Sequence, residues 1–86
     1  MPRISTFYGI AIYMYYKDHA PPHFHAIYGE HEATIDIRTI TIHEGSLPRR
    51  AKTLVLEWAT EHNEALMQNW ELARAEQPLV AIPPLD

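Results

Sequence analysis

Three of the chain's six histidines, His19, His23 and His25, fall within seven residues in the stretch DHAPPHFHA (18–26), wrapped around a Pro-Pro pair. Imidazole takes up or releases a proton near neutral pH, and its neutral nitrogen is a common metal ligand. If HFHAIY (23–28) is a strand, His23 and His25 point the same way, about 7 Å apart at the backbone. Pairing that run with EATIDI (32–37) across Gly29-Glu30 sets Tyr28 opposite His31, Ile27 opposite Glu32, His25 opposite Thr34 and His23 opposite Asp36. Two imidazoles and a carboxylate then share one face. Three readings follow. One is a metal site of His19, His23, His25 and Asp36 for zinc or another divalent ion, with an open position for activated water. Another is a metal-free acid/base site of His23, His25 and Asp36. The plainest is a hydrogen-bonded polar sheet face. No serine stands out as a nucleophile, and cysteine is absent, which excludes disulfides, thiolate metal sites and thiol catalysis.

The hairpin register rests on side-chain alternation. It gathers Phe24, Ala26, Tyr28, Ala33, Ile35 and Ile37 on one face and the polar residues on the other, whereas a slip of one residue scrambles both. Gly29-Glu30 suits a two-residue hairpin turn. FYGIAIYMYY (7–16) predicts an earlier strand that is apolar on both faces, and RTITIHEG (38–45) a later one. Tyr13 and Tyr15 alternate on the second face of the earlier strand, where they could cover a sheet or stack on a base. The period then changes from two to 3.6. Ala51, Leu54, Val55, Trp58, Ala59 and His62 fall on one helical stripe, with Ser46 as the expected N-cap and Leu47-Pro48 in the first turn. One straight helix over 47–75 would be about 43 Å long, so a break is expected near EHN (61–63), with Asn63 capping a second helix. LVAIPPLD is an apolar tail expected to lie on the core or on a partner.

The resulting expectation is a single α+β domain over 1–86. It has an antiparallel sheet of three to four strands within 7–43, then one kinked or two C-terminal helices over about 47–76 packed on one face, and an extended tail over 77–86. The length of 86 residues suits one small domain. A formal charge of −4 argues against a general nucleic-acid binder. The absence of a signal pattern and of a long apolar run gives cytoplasmic location, with no membrane contact, as the expectation. Arg49, Arg50 and Lys52 stand in the first helical turns, where the helix dipole disfavours cations, and the positions four residues on hold Thr53, Leu54 and Leu56. They are candidates to contact phosphate or an acidic protein.

The run of MPRIS, FYGI, DHAPPHFHAIYGE, ATIDI, LPRRA, LVLEWA and LMQNWELA along the chain resembles domain-of-unknown-function family 4160. The resemblance implies a small bacterial protein with no assigned activity. It also implies a gene that neighbours one of another uncharacterised family, numbered 2442, in the manner of toxin–antitoxin pairs. The leading functional expectation is therefore a small cytoplasmic protein-interaction module that binds through its exposed sheet face and C-terminal tail, with the product of that neighbouring gene as its partner and a second copy of the chain as another candidate. The alternative is a His/Asp-based hydrolase or nuclease, with zinc or another divalent metal as its cofactor if it has one.

Overall fold

The structure, a computed structural model, describes residues 2–86. Five strands, β1 (Arg3–Phe7), β2 (Ile10–Tyr13), β3 (His23–Tyr28), β4 (His31–Asp36) and β5 (Thr41–Gly45), form one antiparallel sheet in the order β1-β2-β3-β4-β5. Two helices follow, α1 (Arg49–Glu61) and α2 (Asn63–Arg74). The α+β class and the closing pair of helices match expectation; the sheet has five strands, not three to four.

The additional strand comes from a turn concealed in an aromatic run. Tyr8 and Gly9 both have positive φ, 49° and 78°, and Phe7 pairs with Ile10. Two consecutive left-handed residues make the tight hairpin turn that matches strand twist. A tyrosine is an uncommon occupant of that conformation, so FYGI reads as continuous strand. β5 also begins later than expected. The Asp36 carboxylate accepts the backbone N–H groups of Arg38 (2.8 Å) and Thr39 (3.1 Å). That holds 37–40 in a turn, a usual role for an aspartate side chain.

The β3–β4 register is the one selected by alternation, from Tyr28↔His31 to His23↔Asp36. Phe24, Ala26, Ala33 and Ile35 are buried, together with Ile10 and Ile12 of β2. Phe7 and Phe24 both meet the Trp58 ring, at centroid distances of 5.2 and 5.7 Å, so this is the face the helices cover. The opposite face carries a row of registered partners, Tyr13, His25, Thr34 and Glu44.

The helix ends depart from expectation in two places. Pro48, not Ser46, is the N-cap of α1, and the Ser46 N–H instead donates to the Glu32 carbonyl, extending the β4–β5 pairing. The break falls at His62, within the expected stretch, yet Asn63 does not cap α2. Its amide reaches across to donate to the Ile37 carbonyl at 2.6 Å. α2 closes with Glu76 at φ 57°, the Gln77 N–H bonded to the Leu72 carbonyl and the Glu76 N–H to the Ala73 carbonyl. That is a Schellman pattern with glutamate where glycine is usual.

The tail lies on the core. The buried Asn69 amide brackets the Val80 backbone, donating to its carbonyl at 2.8 Å and accepting its N–H at 2.9 Å. Trp58 Nε1 donates to the Pro83 carbonyl (2.9 Å), and the Ile82 N–H donates to the Ile4 carbonyl of β1 (2.9 Å). The β1 edge is thus partly closed by the chain's own C-terminal segment.

Candidate functional site

The side chains that converge come from β3 and from the turn before it. Pro21-Pro22 forbids helix between β2 and β3, and the chain loops so that Asp18 lies over the start of β3. Asp18 Oδ2 stands 2.9 Å from His23 Nε2 and 3.1 Å from His25 Nε2. All three side chains are largely withdrawn from solvent. His23 is buried, its ring 5.3 Å from that of Trp70 in α2 and 5.2 Å from that of His25. Alternation places His23 on the outward face, but at the first position of its strand it is reached by α2. The expected open histidine face is therefore a half-buried site at one end of the sheet.

The outer nitrogens are committed as well. His23 Nδ1 lies 2.6 Å from the Pro21 carbonyl oxygen. A carbonyl only accepts, so that nitrogen carries a proton. His25 Nδ1 lies 3.3 Å from Glu32 Oε2. Tyr15 closes one side, with its ring 4.3 Å from that of His25 and stacked at 6.5 Å on Tyr13. Burial, then the charges of Glu32, Tyr13 and Asp18, push the Tyr15 phenol above its usual range. For Asp18, burial acts upward, but the hydrogen bond from His25, the charge of His23 and the His19 N–H outweigh it, holding the carboxyl below its usual range.

The Asp18 shift fixes the sign of a pH effect. A carboxyl whose folded value lies below its unfolded one, about 3.9, contributes stability that is present above that pH. The contribution is lost as pH falls through the folded value. In metal-free protein, Asp18→Asn is therefore less stable than wild type at about pH 5, and the margin shrinks below about pH 4. Melting temperatures across pH 2 to 5 check this; a margin that grows as pH falls below about 4 would contradict it.

The sequence-derived residues divide here. His23 and His25 are brought together. Asp36 pairs with His23 in register, but its carboxylate is bonded to the turn at Arg38 and Thr39, and the carboxylate of the cluster is Asp18. His19 is exposed, with Nδ1 3.3 Å from the other Asp18 oxygen. Asp18 opens the DHAPPHFHA stretch, and the two prolines that force the loop back were the available signal for it. Glu32 was legible only as a member of the polar face that alternation assigns to His25, and Trp70 carried no such signal.

Arg49, Arg50 and Lys52 are exposed at the start of α1. Arg50 lines a small groove with Tyr8, Tyr28, Pro48 and Leu54, and Tyr8 and Tyr28 are themselves exposed. Tyr28 stands five residues along β3 from His23, about 17 Å at strand rise. The basic groups thus lie at the opposite end of the sheet from the histidines.

No curated protein and no solved structure matches the chain. The family model described as "Domain of unknown function (DUF4160)" matches residues 9–71. That span takes in Asp18, His23, His25 and Glu32 as well as the basic start of α1, while the tail strap lies outside it. With most of its length matched, including every residue of the converged cluster, the chain belongs to the DUF4160 family.

Proposed function

We propose that the chain is a small interaction module that binds an acidic protein partner through the basic, aromatic surface at the start of α1. The observation that carries this reading is the unrelieved charge there. Among the described residues, none of Arg49, Arg50 and Lys52 makes a salt bridge, and the first turn of α1 holds no acidic residue. The dipole at a helix start opposes such a cluster, and on a chain of net charge −4 it is a local departure from the overall charge. Exposed Tyr8 and Tyr28 flank it, and aromatics and arginine are the residue types that concentrate binding energy at interfaces. The tail, bonded to Trp58 and Asn69, is occupied within the chain and drops out of the binding surface.

On this reading the protein acts in the bacterial cytoplasm, and its partner is the product of a neighbouring gene of the 2442-numbered family, in a toxin–antitoxin-like pair. Co-purification of untagged partner with the tagged chain tests it. The triple variant R49E/R50E/K52E is expected to lose at least about tenfold in affinity, chiefly through slower association and a weaker salt dependence. No complex at micromolar concentration would remove the reading.

A second reading, a His/Asp hydrolase, is favoured by one observation: a carboxylate that orients two imidazoles. Its nuclease form is not favoured, since the groups that would hold phosphate lie at the far end of the sheet.

A further inference from the structure

We propose that Asp18, His23 and His25 form a binding site for a divalent first-row transition ion of the zinc type. The inference supplies the cofactor for the hydrolase reading, and it stands whether or not hydrolysis occurs.

Geometry carries it in three steps. One ligand-capable atom from each of the three residues lies within 4.8 Å of the other two. Zinc–nitrogen and zinc–oxygen bonds of about 2.0 to 2.1 Å set ligand atoms roughly 3.3 Å apart around a tetrahedron. The Asp18 oxygen already stands 2.9 and 3.1 Å from the two imidazole nitrogens, and those nitrogens lie within 4.8 Å of each other, so admitting the ion takes a closure between them of up to about 1.5 Å.

The rings are also turned the right way. His23 gives its Nδ1–H to the Pro21 carbonyl, and His25 has Nδ1 against Glu32 Oε2. An outer nitrogen bonded to a backbone carbonyl or a carboxylate leaves the inner nitrogen's lone pair facing inward, which is how metal-ligating histidines are usually oriented. With both outer nitrogens engaged, the two inner nitrogens and a carboxylate oxygen converge on one spot, where the hydrogen bonds of the metal-free protein can be exchanged for bonds to an ion.

The ligand set then selects the ion. Two imidazoles and one carboxylate, without sulfur, suit zinc, iron(II), cobalt(II) or nickel(II), whereas calcium and magnesium take oxygen donors. Three protein ligands leave at least one coordination position for water or another small ligand. Trp70 backs the His23 ring, the Tyr13–Tyr15 pair walls the His25 side, and exposed His19 stands toward solvent. The ligands come from one strand and its preceding turn, so the site needs no second chain.

The test is calorimetric titration of untagged, chelator-treated protein with zinc, backed by the visible absorption of the cobalt(II) form. The expected result is one saturable site per chain, with affinity at least 100-fold weaker in Asp18→Asn and in His25→Ala. Glu32→Gln, which weakens only the orientation of His25, is expected to lose about tenfold, and His19→Ala to bind as wild type. Circular dichroism confirms that each variant is folded. His25→Ala and Asp18→Asn, being less enclosed than His23, keep the test decisive if His23→Ala does not fold. Absence of saturable binding, or wild-type affinity in folded Asp18→Asn, would overturn the site. Tight binding without turnover of ester, amide or RNA substrates leaves the site standing and removes only the hydrolase reading.

Discussion

Gly45→Ala is expected to lose about 3 kcal/mol of stability or more, a fall in melting temperature of about 15 °C for a domain this size. Gly45 sits at the end of β5 with φ +80°, and a Cβ built there would lie 2.2 Å from the Glu32 carbonyl oxygen and 3.0 Å from the Ala33 Cα. Both obstacles are backbone, which cannot rotate aside as a side-chain tip can. The same Glu32 carbonyl accepts the Ser46 N–H, so displacing it also frays the link from the sheet into α1. Gly29→Ala is the internal control. Gly29 has φ +59° but open space around its Cβ position, so only the left-handed penalty of about 1 to 2 kcal/mol applies. Urea melts of the two variants separate clash from backbone strain. Equal losses would mean that the close approach of β4 and β5 at Gly45 is relieved by a small shift.

Trp58→Ala is expected to cost about 3 to 5 kcal/mol, the range for emptying a large aromatic from a core. For a domain whose whole stability is of order 5 to 15 kcal/mol, that approaches unfolding. Trp58 is fully buried, contacts Phe7 of β1 and Phe24 of β3, and donates its indole N–H to Pro83. One side chain thereby joins helix, sheet and tail. Trp58→Phe separates these functions: most packing survives, while the Pro83 carbonyl loses its donor at a cost of about 1 to 2 kcal/mol. Hydrogen exchange at the Ile82 amide, bonded to β1, reports tail docking directly. Its protection is expected to fall in Trp58→Phe more than that of the central β3 amides. Uniform loss across the chain would show that the tail and the sheet open as one cooperative unit.

The interaction surface and the proposed metal site lie at opposite ends of β3, about 17 Å apart by strand rise. Variants at one are therefore expected to leave the other unchanged, since sites more than 7 to 10 Å apart with no shared partners act independently. This makes R49E/R50E/K52E a folded control for metal binding and Asp18→Asn a control for partner binding.

By itself, the sequence determined what depends on local periodicity. Alternation in HFHAIY and EATIDI specified the β3–β4 register, because a one-residue slip would exchange buried and exposed sets along both strands. The Leu54-Trp58 stripe specified helix, and the length limit specified the break that occurs at His62. His23 and His25 were legible as neighbours because two residues on a strand always share a face. Tertiary structure decided the rest, because its causes are distant in sequence or depend on backbone conformation. The turn at Tyr8-Gly9 needs a tyrosine at positive φ, which propensity disfavours, so β1 was hidden. Asp36 is opposite His23 in register, but its short side chain is held by the N–H groups of its own turn, a local bond that competes with any cross-strand role. Asp18 takes its place only because the loop through two prolines folds back over β3. No periodicity describes a loop; its position is set by the strand it returns to and by the Trp70 ring that covers His23 from α2.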